Sequence, residues 1–206
     1  MAAGSTDKTL TWLIATNAAL YLLFKVVELL VGTDGLLYER LLNLFTLSAS
    51  SDVFMSHPWT ILSYMMTHLS FLHLLCNMLW LYWFGRIGVA VLGEKGLITT
   101  YVGGGVVGAI LYLALINRIG TGSESYLCGA SAAVLSIIGM LLIVDPGKEL
   151  MLSPSCRVKL WMIALLCIFL TFWGGSDLSL GGAAAHLGGL GFGLSYGVIK
   201  FKKERY

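Results

Sequence analysis

Four polar side chains in an apolar chain have the types that acyl transfer needs. They are the hydroxyl of Ser131, the imidazoles of His73 and His186, and the amide of Asn77. A serine becomes a nucleophile only beside a base, and the reaction needs hydrogen-bond donors where negative charge develops on the carbonyl oxygen. Ser131 fits the nucleophile and His186 the base. His73, Asn77 and the Ser131 backbone N–H fit the donors. His73 and Asn77 are four residues apart, which puts both on one face of a helix. A membrane serine beside glycine and alanine usually packs, or bonds to a carbonyl one turn back, so Ser131 alone carries little weight. Histidines inside apolar segments are rarer and point to function.

The elements that must position these groups are helices in lipid. The chain has 206 residues, 57% hydrophobic and 12% charged. Ordinary soluble domains carry about 25% charged residues, so lipid must cover this surface instead. A net charge of +2, with no basic block interleaved with aromatics, argues against a nucleic-acid partner. Apolar segments run over about 10–31, 69–92, 97–116, 130–144, 160–173 and 182–199. Each is long enough, or nearly so, to cross a hydrocarbon core of roughly 30 Å as a helix. Backbone groups in lipid must be satisfied within the protein, which favours helices over an open sheet.

Depth then ties the polar groups together. Ser131 lies 13 residues before Val144, and His186 lies 13 residues before Ile199. At 1.5 Å per residue both stand roughly 20 Å from the end of their segment. If both segments run inward, the serine and histidine share one level, and His73 and Asn77 fall near it. His57 and His68 read as residues of the outer interface. On a continuous helix His68, five residues before His73, points about 140° away from it.

Orientation follows from the cations. With both termini cytoplasmic, that side holds Lys8, Arg86, Lys95, Lys148, Arg157, Lys159, Lys200, Lys202, Lys203 and Arg205, against Arg40 and Arg118 outside. Lys25 lies within the first segment. This is a strong positive-inside bias. Residues 32–68 form a long external connection. Its stretch "MSHPWTILSYMMTH" is aromatic but broken by Pro58, so short helices in the outer interface are expected, with Trp59 and Tyr64 at headgroup depth. Gly104, Gly108, Gly189 and Gly193 form small-xxx-small pairs suited to close helix packing. Met1–Asp7 lacks the basic region of a signal peptide. Cys76, Cys128, Cys156 and Cys167 show no CxxC spacing and read as small buried hydrophobes.

Other membrane chemistries fit less well. The HExxH of zinc proteases is absent. Asp145 and Asp177 lie at segment ends, and "GGSD" at Gly174–Asp177 reads as a loop, so a pair of intramembrane aspartates is missing. Glu28 is the only acid deep in an apolar run, which leaves a proton relay without members. No internal repeat supports a two-halved transporter.

The chain resembles the rhomboid family of intramembrane serine proteases over roughly 59–199. "GASA" at Gly129–Ala132 is similar to the GxSG around the nucleophile, "HLLCN" at His73–Asn77 to HxxxN, and "AHLGGLGFG" at Ala185–Gly193 to the sixth-helix histidine with its spaced glycines. The resemblance implies a Ser131–His186 dyad without an acid and an oxyanion site at His73 and Asn77. It also implies that Gly189 lets the fourth and sixth helices approach closely. The pattern departs at Ala132, at Leu135 where an aromatic is frequent, at Thr60 after Trp59, and around Val89 where a glutamate is frequent.

The expected molecule is an all-α membrane protein, a single domain over 1–206 built as a six-helix rhomboid-like bundle with a long interfacial first loop. Its expected function is a serine endopeptidase that cleaves in or near transmembrane segments of other proteins. The alternative is an inactive rhomboid-like protein that binds membrane clients. Gly129 and Gly189 are expected to allow close packing at the site. No metal or cofactor is implied. The expected partners are transmembrane protein substrates and membrane lipids, and the sequence specifies no oligomeric state. The expected location is a bacterial inner membrane, with both termini cytoplasmic and the site opening to the outer side.

Overall fold

A computed structural model describes residues 8–119, 126–153, 156–173 and 180–202. Met1–Asp7, the Gly174–Asp177 segment, and Lys203 with Arg205 lie outside the described residues, as do the side chains of Cys156 and Cys167.

The chain is mostly helical. Helix α1 spans Lys8–Val31, α2 Leu36–Phe45, α3 Ser51–Ser56, α4 Thr60–Ser63, α5 Phe71–Ile119, α6 Ser131–Val144, α7 Leu160–Trp173 and α8 Leu180–Lys202. A 3-10 turn at Tyr64–Met66 follows α4. Two short antiparallel ladders interrupt the all-α pattern: β1 (Leu47–Ser48) with β2 (Tyr126–Leu127), and β3 (Glu149–Ser153) with β4 (Cys156–Lys159). Among the described residues, Lys8–Val31 and Phe71–Ile116 are long and apolar enough to cross a membrane, and Ser131–Val144 is a shorter apolar helix.

Helix α5 has 49 residues, a length of about 74 Å if straight. It is not straight. Gly93 has φ 72° and ψ 173°, which breaks the helix into limbs 71–92 and 94–119. The limbs fold back on each other: Gly88 faces Leu97, and the Tyr64 hydroxyl, near the start of the first limb, donates to the Gly105 carbonyl of the second at 2.7 Å.

Helix α6 is the axis of the molecule. Every residue from Ala132 to Leu141 is buried. Ala132 and Ser136 meet Gly104 and Gly108 of α5 on one side and Gly189 and Gly193 of α8 on the other. The small residues foreseen for close packing therefore flank α6 from both sides, which brings backbones together where larger side chains would hold them apart. At 14 residues α6 is about 21 Å long. It is shorter than the two helices that flank it, α5 and α8.

The outward faces are apolar, as lipid requires: Trp12, Leu29, Leu30, Phe71, Leu72, Leu165 and Phe169 are exposed. Cys76 shares this face with Leu72, Leu75 and Leu79 and is exposed, which corrects the expectation that it is buried. In lipid an outer face is as apolar as a core, so residue type alone does not separate the two. Cys128 is half-buried, and neither it nor Cys76 forms a disulfide.

The first loop is built of short helices, with one correction. Trp59 is half-exposed and its indole N–H donates to the Leu44 carbonyl at 2.9 Å. Tyr64, expected at headgroup depth, is instead 1% exposed and reaches inward to α5.

Candidate active site

Ser131 is the first residue of α6, and His186 lies in the second turn of α8. Their side chains meet: Ser131 Oγ and His186 Nε2 are 2.6 Å apart, and both residues are half-buried. That distance permits direct proton transfer from hydroxyl to imidazole. Gly189, one turn beyond His186, causes the approach. A Cβ there would run into the Ala132 carbonyl, so only glycine lets α8 lie this close to α6 at the level of the pair.

The turn before Ser131 answers why glycine stands at 129. Gly129 has φ +113°, a conformation that residues with a Cβ rarely adopt. The imidazole edge of His73 also lies directly over it, where a Cβ would come about 2.6 Å from Nε2. His73 is thus placed against the serine turn. Asn77 lies one helical turn further along α5 and is 5% exposed. One of its amide N–H groups donates to the His73 carbonyl at 2.9 Å, and the amide has a second.

Backbone donors complete the site. The first bond of the α6 ladder runs from the Val134 N–H to the Ala130 carbonyl at 2.9 Å. The N–H groups of Ser131, Ala132 and Ala133 therefore lie outside that ladder, at the positive end of the helix. The Gly129 N–H is committed to the Tyr64 carbonyl at 2.9 Å and the Ala130 N–H to His68 Nε2 at 3.3 Å.

His68 is the residue that sequence reasoning misplaced. It was expected at the outer interface and turned away from His73. Instead it is fully buried, and the two rings meet edge to face with centroids 4.9 Å apart. The 140° argument fails because α5 starts only at Phe71, so His68 is not on that helix. His57 does stay in the first loop, half-buried, packed edge to face with Trp59 at 5.1 Å. Glu28, the acid deep in α1, pairs with Lys25 at 2.6 Å.

These features define a class: a mostly helical, membrane-embedded protein with a serine hydroxyl and a histidine imidazole in contact inside its bundle. The chain belongs to the rhomboid family, because the Rhomboid domain model matches residues 55–203. It is 26% identical over 205 residues to the mitochondrial presenilin-associated rhomboid-like protein of Rattus norvegicus, covering 92% of this chain and 48% of that one. The Homo sapiens protein of the same name is likewise 26% identical over 205 residues, with the same coverage. The chain therefore spans about half the length of these curated relatives. It is also similar to Rhomboid protease GlpG of Haemophilus influenzae, 28% identical over 151 residues that make up 73% of each chain.

Proposed function

We propose that this protein is an intramembrane serine endopeptidase that hydrolyses peptide bonds in or near transmembrane segments of other proteins. The observation that carries the reading is the 2.6 Å contact between Ser131 Oγ and His186 Nε2. Membership of the rhomboid family and similarity to a protein named as a protease support it.

In this reading Ser131 Oγ attacks the carbonyl carbon of the scissile bond while His186 Nε2 takes the hydroxyl proton. The carbonyl oxygen becomes an oxyanion held by the Ser131 N–H, His73 and Asn77. Collapse of the intermediate breaks the C–N bond, and His186 gives its proton to the leaving amine. Water then repeats the sequence on the acyl-enzyme, with His186 as base, and releases the carboxylic acid and free Ser131.

The proposed membrane arrangement has six crossings: α1, the two limbs of α5, α6, α7 and α8. The excess of Lys and Arg supports an arrangement with both termini on the cytoplasmic side of the membrane. The short α6 then leaves Ser131 below the outer surface, in a recess open to the water that hydrolysis consumes.

The test uses purified protein in detergent, one transmembrane substrate and a serine-directed fluorophosphonate. Cleavage and labelling that both vanish in Ser131→Ala support the protease. A folded protein that retains the substrate without cutting it, and takes no label, makes the client-binding alternative the correct one.

A further inference from the structure

We propose that His68 is a positioning residue for the nucleophile: its neutral imidazole accepts the Ala130 N–H on Nε2 and so fixes the turn that delivers Ser131 to α6. This inference rests on the reading of Ser131 as the nucleophile.

Hydrogen bonds from the chain between α1 and α5 hold the described residues just before α6, and three of them involve its backbone. Leu127 pairs with Leu47 and Tyr126 with Ser48 in the β1–β2 ladder. The Gly129 N–H donates to the Tyr64 carbonyl. The Ala130 N–H donates to His68 Nε2. The first two are backbone bonds that almost any residue can make. The third depends on a side chain, as does an exposed bond from the Tyr126 hydroxyl to Asn43 Oδ1 at 3.3 Å, but the His68 bond is the buried one, on the residue next to Ser131.

Chemistry narrows what that side chain must be. Ala130 is fully buried, and a buried N–H without an acceptor is costly, so the turn would rotate to find another. The acceptor must reach across from the end of the first loop and carry a lone pair. An imidazole qualifies only when Nε2 is bare, which puts the proton on Nδ1, facing the Met66 carbonyl at a geometry short of a good hydrogen bond. Full burial, and the neighbouring imidazole of His73, oppose a charged ring. The same bond takes the Ala130 N–H out of competition, so the backbone donor next to the hydroxyl is that of Ser131 itself.

The bland alternative is that the ring merely fills space beneath His73. Two variants separate the readings. His68→Gln keeps an acceptor at similar reach, and His68→Phe keeps the volume without one. Errors in placing a reacting group by about 1 Å cost on the order of 100-fold, so His68→Phe is expected to lower kcat by about 10-fold to 100-fold with KM nearly unchanged. His68→Gln is expected to recover most of the rate, both in cleavage and in fluorophosphonate labelling of Ser131. Equal rates in the two variants, whether high or low, overturn the proposal. Should His68→Phe not fold, nitrogen NMR of the wild-type protein with labelled histidine decides: the Nδ1–H tautomer of His68 supports the proposal and the Nε2–H tautomer refutes it. Failure of the protease reading looks different, because wild-type protein would then take no label while its His68 tautomer stayed as stated.

Discussion

Gly189 of α8 rests against the backbone of Ala132 in α6, so close that an added methyl group would overlap the carbonyl oxygen and crowd the carbonyl carbon and Cα. Ala132 follows Ser131, and Gly189 follows His186 by one helical turn. The contact that holds the helices together therefore also sets the separation of hydroxyl and imidazole.

Gly189→Ala must push α8 away from α6, because backbone cannot yield as a flexible side chain can. Overpacking of this kind costs about 1–3 kcal/mol, so the melting temperature in detergent should fall. Activity should fall further, since the 2.6 Å contact opens with the helices. Gly191 is the control: nothing lies within 4 Å of a Cβ there. Gly191→Ala should leave cleavage intact and hold or raise the melting temperature, as alanine favours a helix over glycine. Equal damage from both variants would show that the close approach does not matter.

Ser131 and His186 act as one unit in the proposed mechanism. Ser131→Ala and His186→Ala should each remove most of the activity, and the double variant should lose little more. All three should keep the wild-type melting behaviour within a few degrees. Residual cleavage by Ser131→Ala would shift attention to Cys128, three residues earlier.

Asn77 separates oxyanion stabilisation from helix packing. As an oxyanion donor, Asn77→Ala should lower kcat by roughly 100-fold to 1,000-fold with little change in KM. Thermal stability should change little, because one membrane hydrogen bond is worth about 0.6 kcal/mol on average. If the amide serves only its bond to the His73 carbonyl, the pattern reverses: stability drops and kcat per folded molecule holds. His73→Ala should follow Asn77→Ala, more mildly where water can replace the ring.

Two histidines give two different pH signatures. His186 takes the Ser131 proton only when neutral, so activity should rise with pH through its titration and then level off. A rate that falls as pH rises towards about 8 would rule it out as a base that must be neutral to act. His68 acts on stability. Burial, with a smaller effect from His73, pushes its pKa down from 6.5 to about 3. Between those values the unfolded chain binds the proton and the folded one does not, so acid favours unfolding. The melting temperature should therefore fall as pH drops from about 6.5 towards 3, and His68→Gln should flatten that slope relative to wild type.

The sequence by itself carried what local chemistry can carry. Composition set lipid as the solvent. Apolar runs marked where helices lie, because a run's length and hydropathy report how a segment partitions. The stretch Gly129–Ala132 and the four-residue step from His73 to Asn77 named groups with the right chemistry. Counting residues back from Val144 and Ile199 put Ser131 and His186 at one depth, because rise per residue is constant along a helix.

Only the tertiary structure decided which groups touch. Equal depth does not bring a hydroxyl within 2.6 Å of an imidazole; the fit of Gly189 on Ala132 does, and it depends on residues 57 apart in the chain. Tyr64 looked like an interface aromatic, yet it is buried because its hydroxyl finds the Gly105 carbonyl across the bundle. His68 looked bland because helical geometry was extended past the true start of α5 at Phe71. Its role comes from an N–H 62 residues away, and a pairing at that separation is set by how three helices and one loop pack, which no local periodicity records.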